Sequence, residues 1–105
     1  MSAEELNFSK DAQWVAFVSY PESVLWRSRI DGTQRQQLTV PPLQVGAPHW
    51  SPNGQQIVFS GNMPGERLDL YLIGAEGGNP VPITEGGGDP NWSPDGNSVM
   101  FFHGW

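Results

Sequence analysis

The chain of 105 residues contains no cysteine, so it can form neither a disulfide nor a thiolate metal site, and the redox state of its compartment stays open. Lysine and arginine are also scarce, with five in total against eleven acidic residues, for a net charge of −6. Phosphate contacts need clustered cations, so this composition argues against nucleic-acid binding. No apolar run approaches the roughly 18 residues of a membrane span. The sequence therefore predicts neither a nucleic-acid nor a membrane partner.

Uninterrupted helical patterns are absent as well, because 13 glycines and 10 prolines break up every long window. The apolar runs are short: WVAFV, SVLW, QIVF, LDLYLI, VPIT and SVMFF. Each is rich in β-branched and aromatic residues and is bounded by turn residues, which is typical of strands about five residues long. We expect negligible helix and ten strands, near residues 5–9, 14–19, 24–30, 35–39, 47–51, 56–60, 68–73, 81–84, 89–93 and 98–102.

Two stretches of the chain are nearly identical, HWSPNGQQIVF and NWSPDGNSVMF, and they place Trp50 and Trp92 42 residues apart. Another step of 42 residues back from Trp50 reaches Phe8, in NFSKDAQWVAF. Four short strands per repeat of this length predict the blades of a β-propeller. The predicted fold is all-β, a partial β-propeller of about two and a half four-stranded antiparallel blades. The expected boundaries are blade 1 at about 5–46, blade 2 at about 47–88 and a half blade 3 at about 89–105.

The turn after each repeat aromatic has a specific chemistry, SPNG in the second copy and SPDG in the third. Proline presets φ at the second position, Asn or Asp favours the third, and glycine supplies a positive φ. The first copy has Ala12 where the others have glycine, so we expect Ala12 to carry a positive φ at a cost of about 1 kcal/mol. The turn residues held in place by the repeat are Pro52, Gly54, Pro94, Asp95 and Gly96.

The pattern W-S-P-D-G, an apolar strand ending in Phe, a strand such as DLYLI and a final [LI]-T resembles the TolB-type WD40-like (PD40) propeller repeat. The resemblance covers residues 6–102. The same kind of repeat occurs in the N-terminal propellers of dipeptidyl-peptidase-type enzymes. It also occurs in bacterial proteins in which TolB-like blades follow a winged-helix regulatory domain. It implies the fold and leaves the function open, because propellers host unrelated activities. The first copy departs from the pattern at Phe8, Lys10 and Ala12, which indicates a divergent or boundary blade.

The compartment is only weakly indicated. The first residues, MSAEELNFSKD, lack the apolar core of a signal peptide. TolB itself implies the periplasm, whereas similar blades in other proteins are cytoplasmic. We lean towards a cytoplasmic location and leave the periplasm open.

Motifs for catalysis are missing from the sequence. There is no G-x-S-x-G motif, so the hydrolase half of a dipeptidyl-peptidase-type enzyme is absent. The glycine-rich stretches at 77–78 and 86–88 lack the Lys-[Ser/Thr] of a phosphate loop. His49 and His103 show no regular metal-ligand spacing. We therefore predict a protein that is not an enzyme and holds no metal or cofactor.

His49 precedes a repeat tryptophan, at the position that Asn7 and Asn91 occupy in the other copies. The favoured interpretation is a polar residue on the innermost strand, hydrogen-bonded to neighbouring backbone. The alternative is a channel-facing ligand group that acts with Asp89 and Asn91, since propeller function usually lies at the channel mouth.

The tryptophans divide into two groups. Trp50 and Trp92 are fixed by the repeat, so we expect them between blades rather than on a carbohydrate-binding surface. Trp14 and Trp26 are less constrained. Trp14 is replaced by Gln56 and Ser98 in the other copies, which predicts that it is either exposed or packed against a partner.

A closed propeller needs at least four blades, more than the chain supplies. Open blade faces rich in apolar residues are association sites. We expect either a piece of a longer propeller or a homo-oligomer assembled head to tail, and we favour both over a stable open stub. The favoured function is a protein-interaction scaffold. The alternatives are a small-ligand or glycan-binding oligomeric propeller and the propeller part of a prolyl-oligopeptidase-type peptidase.

Overall fold

The computed structural model describes residues 2–102, and side chains from Glu5 onwards. Residues 103–105, the end of the predicted half blade with His103, lie outside the described residues. All ten predicted strands are present, and the described residues contain no helix, so none is available to span a membrane. The strands are β1 (Ser2–Phe8), β2 (Trp14–Tyr20), β3 (Val24–Arg29), β4 (Gln36–Gln37), β5 (Gln44–Trp50), β6 (Gln56–Asn62), β7 (Asp69–Gly74), β8 (Gly77–Pro82), β9 (Gly88–Trp92) and β10 (Val99–Phe102).

The strands form three antiparallel sheets in simple up-and-down order. We refer to β1–β4 as blade 1, to β5–β8 as blade 2 and to β9–β10 as blade 3. The inner strand β5 lies between the inner strands β1 and β9 and contacts both. The predicted fold class, a partial and unclosed β-propeller, is confirmed. Two strands differ from expectation: β4 has only two residues, and β8 begins at Gly77 because Gly77 pairs with Gly74 across a two-residue turn.

Blades 1 and 2 share one hydrophobic core. Side chains alternate between the two faces of a strand, so one face of blade 1 meets the opposite face of blade 2. Burial of this apolar area, at about 25 cal/mol per Å², stabilises the pair of blades. The buried cluster contains Ala16, Val18, Leu25 and Leu38 from the first blade, and Val45, Trp50, Ile57, Phe59, Ile73 and Ala75 from the second.

The turn after each inner strand is held by the same hydrogen bonds in all three copies. In the first copy, the Ser9 hydroxyl donates to the Asp11 carboxylate at 2.6 Å and accepts the Trp14 N–H at 3.1 Å. The other copies repeat both bonds around Ser51 and Ser93. Ala12 has a φ of 59°, against 74° for both Gly54 and Gly96. Serine and the Asx residue therefore organise this turn even where proline and glycine are missing.

Candidate functional site

Each inner strand contains a bulge at the same point of the repeat. Between residues 4 and 7, 46 and 49, and 88 and 91, the inner strand has one residue more than its partner strand. At the bulge, Glu5, Ala47 and Asp89 have φ values of 55°, 49° and 48°. Non-glycine residues rarely adopt this conformation. The bulges give the predicted site residues Asp89, Asn91 and His49 their positions.

Glu5 connects the bulge of blade 1 to that of blade 2. Its Oε1 accepts the backbone N–H of Ala47 at 2.8 Å, and its other carboxylate oxygen accepts a hydrogen bond from the Tyr20 hydroxyl. A charged acceptor makes such a bond stronger than a neutral one would. No pattern in the sequence predicts this contact apart from the 42-residue separation between the two positions.

Asn7 makes the largest set of polar contacts between the blades. Its Oδ1 accepts the backbone N–H of Trp50 at 2.9 Å, and its carbonyl oxygen accepts the Trp50 indole N–H at 3.0 Å. Its Nδ2 lies 3.2 Å from Nδ1 of His49. An amide nitrogen only donates, so His49 Nδ1 accepts and the ring proton is on Nε2. The contact therefore requires the neutral form of His49.

The electrostatics of His49 agree with this tautomer. Partial burial lowers the pKa of the imidazole, and the nearby Asp89 carboxylate opposes this effect without cancelling it. His49 is consequently neutral at pH 7. Its carbonyl oxygen accepts the indole N–H of Trp92 at 3.0 Å, which repeats the contact between Asn7 and Trp50.

The three residues predicted at the channel mouth are neighbours but are not joined by hydrogen bonds within residues 5–102. His49 bonds the side chain of Asn7, not the backbone as the favoured interpretation had it. Asp89 affects His49 through its charge alone. The Oδ1 of Asn91 accepts the N–H of its own neighbour, Trp92, at 2.8 Å. No group of three or more potential metal ligands occurs in the described part of the chain.

The repeat residues differ in exposure according to the blade that carries them. Trp50 is 7% exposed and Trp92 is half-buried, whereas Phe8 is 56% exposed. The turn residues lie at the surface, with Pro52, Gly54 and Gly96 half-buried and Pro94 and Asp95 exposed. The Ser93 hydroxyl is the main reason that the pKa of Asp95 is lowered, so this carboxylate belongs to the turn.

The outer face of blade 1, defined by Leu6, Phe8 and Ile30, is not covered within the described structure. These three side chains are each more than half exposed. The equivalent face of blade 2 packs against blade 1. Its counterparts of the three residues are all buried: Pro48, Trp50 and Ala75.

Blade 3 is uncovered on its other side. Met100 pairs with Asn91, on the face opposite to Trp92, and both Met100 and Phe102 are more than half exposed. Among the described residues, no strand pairs with the outer edge of β10. The two ends of this structure therefore both expose apolar blade surface.

Comparison with known proteins agrees with this architecture. The chain resembles the structure of putative TolB from Agrobacterium tumefaciens, with a TM-score of 0.83 and 22% identity over 96% of this chain and 38% of that one. It also resembles TolB from Acinetobacter baumannii, with a TM-score of 0.75 and 19% identity over 94% of this chain and 26% of that one. The chain thus spans well under half the length of these proteins. No curated protein sequence matches it.

The family comparison covers nearly the whole chain. The model of the TolB beta propeller domain, PD40, matches residues 5–103, which includes all three copies of the repeat turn. The chain belongs to the TolB β-propeller family.

Proposed function

We propose that the chain is part of a non-catalytic propeller that serves as a protein-interaction scaffold, and that further blades complete its ring. The observation that carries the proposal is the exposed outer face of blade 1. Phe8 is 56% exposed, whereas its counterpart Trp50 is 7% exposed because blade 1 covers it. Exposed apolar surface of this kind marks an interaction site.

The two equivalent faces are built alike, which indicates what covers the exposed one. Phe17 and Trp26 stack on the outer face of blade 1, with ring centroids 6.3 Å apart. Phe59 and Tyr71 stack in the same way on blade 2, at 5.4 Å, beneath blade 1. A surface that in blade 2 accommodates a blade is suited to accommodate one in blade 1 as well.

Blade 3 offers the complementary half of such a contact. The carbonyl oxygens of Asn7 and His49 each accept an indole N–H from the next blade. Asn91 occupies the same position in β9, so we expect its carbonyl to accept an indole from a following blade. Further blades have two sources, the rest of a longer chain or a second copy of this one.

A second copy and a blade of a longer chain differ in whether they can supply the indole N–H. A second copy docked head to tail brings Phe8 to Asn91, and the phenylalanine side chain has no N–H to donate. A following blade with tryptophan at this position makes the bond. This difference favours blades of a longer chain as the native complement, while the apolar faces still drive association of separate copies.

The experiment is size exclusion with light scattering at micromolar concentration. We expect a species larger than the 11.6 kDa monomer. Phe8→Asp should shift it towards the monomer, and Phe8→Trp should tighten association by roughly tenfold, for one added hydrogen bond. The matched control is Val40→Asp, because Val40 is 66% exposed in the connection before β5. A folded wild-type monomer, or equal effects of the two aspartates, would overturn the proposal.

A further inference from the structure

The cleft between blades 1 and 2 contains residues that the repeat does not explain. Residues needed for the fold recur after 42 or 45 positions, as Trp50 and Trp92 do. Trp14 does not, because Gln56 takes its place in blade 2. Arg27 and Arg29 correspond to Leu72 and Gly74. A propeller blade of this family therefore folds without this aromatic and cationic group.

The three side chains form one cluster. The guanidinium carbon of Arg27 lies 4.5 Å from the centroid of the Trp14 ring, and that of Arg29 lies 5.1 Å from it. Both distances are within the range of a cation–π contact. Trp14 also packs against the core shared by the blades, so apolar contacts with this core hold the indole in place.

Amide groups, rather than carboxylates, hold the two arginines. The Nε of Arg27 donates to Gln36 Oε1 at 2.9 Å, and Nη2 of Arg29 donates to Gln13 Oε1 at 3.2 Å. Gln36 is itself fixed across the cleft, because its Nε2 donates to the carbonyl oxygen of Glu76 at 2.9 Å. This arrangement orients the guanidinium of Arg27 without neutralising its charge.

Arg27 retains its donors for another group. Its two terminal nitrogens make no hydrogen bond within the described residues, where the ion pairs involve Arg67 alone. Arg29 is different, since it lies close enough to Asp11 to contribute, after the Ser9 hydroxyl and the Gln13 N–H, to the lowered pKa of that carboxyl. A planar guanidinium with two free nitrogens is suited to bind a carboxylate in a bidentate manner.

The cleft is large enough for a peptide side chain and part of its backbone. Its volume is about 620 Å³, and a second recess of about 290 Å³ joins it at Trp14 and Gly54. The hairpin between β7 and β8 forms one wall, with three small residues, Gly74, Ala75 and Gly77, and with Glu76. The other lining residues are Trp14, Arg27, Trp50, Gly54 and Gln55.

We propose that this cleft, formed by Trp14 and Arg27 of blade 1 and the β7–β8 hairpin of blade 2, binds an acidic peptide segment of a partner protein. A carboxylate of the peptide pairs with Arg27, and a neighbouring apolar side chain lies on Trp14. Charge complementarity selects this occupant: Arg27 lines the cleft, Lys10 lines its recess and Arg29 stacks on Trp14. In a protein of net charge −6, three of the five cations thus gather here, against the two carboxylates of Asp11 and Glu76. Blades 1 and 2 form the cleft without any further blade, so it does not depend on ring completion.

The test is fluorescence anisotropy with a library of fluorescein-labelled decapeptides, each with one fixed Asp or Glu beside an apolar residue. We expect library members to bind in a salt-dependent manner, and the matching Asn or Gln peptides to bind at least tenfold more weakly. Trp14→Gln and Arg27→Gln should each weaken binding by about tenfold, while Arg27→Lys should restore part of it. Trp14→Gln introduces the residue that blade 2 carries at this position, so the fold should tolerate it.

Two controls separate this inference from the proposed scaffold function. Arg67→Gln removes a cation that is ion-paired with Asp69 on blade 2, and it should leave peptide binding unchanged. Phe8→Asp weakens association but leaves the cleft intact, so binding should persist in it. The inference is overturned if no peptide distinguishes the wild type from Trp14→Gln. It is also overturned if free succinate competes as well as the unlabelled peptide does, because the ligand is then a small carboxylate.

Discussion

The indole nitrogen of Trp50 donates a hydrogen bond to the carbonyl oxygen of Asn7 at 3.0 Å, and the pair Trp92 and His49 repeats this contact at the same distance. Both bonds run from a blade to the inner strand of the blade before it. The side chain of Phe8, at the equivalent position in blade 1, has no N–H group and is exposed. The tryptophans of the second and third repeats therefore bond each blade to the one before it, in addition to filling space.

Substitution of Trp50 separates these two roles. Trp50→Ala removes a buried ring and should cost roughly 3–5 kcal/mol, enough to prevent folding of a small domain. Trp50→Phe retains most of the ring, as Phe8 does, and leaves the Asn7 carbonyl without its donor, which should cost about 1–3 kcal/mol. Urea unfolding at one protein concentration measures both values. Normal stability of the alanine variant would show that Trp50 is not a core residue.

The first repeat turn provides a test of backbone strain. Ala12 has a φ of 59°, a conformation that glycine adopts without cost. Ala12→Gly should therefore be neutral or stabilise the fold by up to about 1 kcal/mol. Gly54→Ala is the reciprocal control, because a Cβ there would meet no atom within 4 Å and only the backbone conformation at 74° is affected. It should destabilise by about 1 kcal/mol. A clear loss of stability in Ala12→Gly, or no loss in Gly54→Ala, would disprove the equivalence of the turns.

The sequence predicted the ten strands because strand and turn signals are local. Apolar runs such as residues 56–59 and turns such as SPDG act within a few positions of the chain. The same locality explains the error at β8, where VPIT predicted a strand at 81–84 but a tight turn between Gly74 and Gly77 starts the strand earlier.

The polar contacts at the inner strands could not be predicted in the same way. The bulges fall on Glu5, Ala47 and Asp89, three residue types without a common preference for positive φ. The partner of His49 is Asn7, 42 residues earlier on another blade. Such contacts depend on how two sheets dock, which residue patterns along one strand do not specify.

The aromatic stacks predict that Ser19 and Gly61 are not interchangeable. A Cβ on Gly61 would lie 3.1 Å from the Tyr71 ring and 3.2 Å from the Phe59 ring. Gly61→Ser should therefore destabilise the fold by roughly 1–3 kcal/mol through overpacking. In blade 1 the rings are farther apart, and the Ser19 hydroxyl accepts the Trp26 indole N–H at 3.0 Å.

The reciprocal variant is Ser19→Gly, which removes side-chain atoms and therefore creates no steric clash. It should cost about 1–2 kcal/mol, because the Trp26 N–H loses its acceptor and glycine weakens a strand interior. Thermal unfolding of the two single variants provides the comparison. If Gly61→Ser is as stable as the wild type, then the ring pair of blade 2 shifts freely and the packing argument is wrong.

The stability of the fold should depend on pH through His49. Burial holds the pKa of its imidazole below the usual value of 6.5, and the Nδ1 contact with Asn7 requires the neutral ring. At pH values between the lowered pKa of His49 in the folded protein and 6.5, the unfolded chain binds more protons than the folded one. The free energy of unfolding should therefore have its full value above about pH 6.5. It should fall as the pH drops below 6.5 and through the pKa that His49 has in the folded protein. Carboxylates with lowered pKa, such as Asp95, add a separate loss only below about pH 4.

His49→Asn isolates this effect, because asparagine is the residue that the repeat carries at positions 7 and 91. At pH 7 we expect the variant to lie within about 1 kcal/mol of the wild type, since the backbone carbonyl at position 49 still accepts the Trp92 indole N–H. An amide oxygen at this position can also accept from Asn7 Nδ2, as His49 Nδ1 does. Between pH 7 and pH 5 its free energy of unfolding should stay constant while that of the wild type declines. Asp89→Asn should steepen the wild-type decline, because the Asp89 charge is what partly sustains protonation of His49. Equal pH dependence of the wild type and His49→Asn, measured by urea unfolding at five pH values, would show that another group titrates.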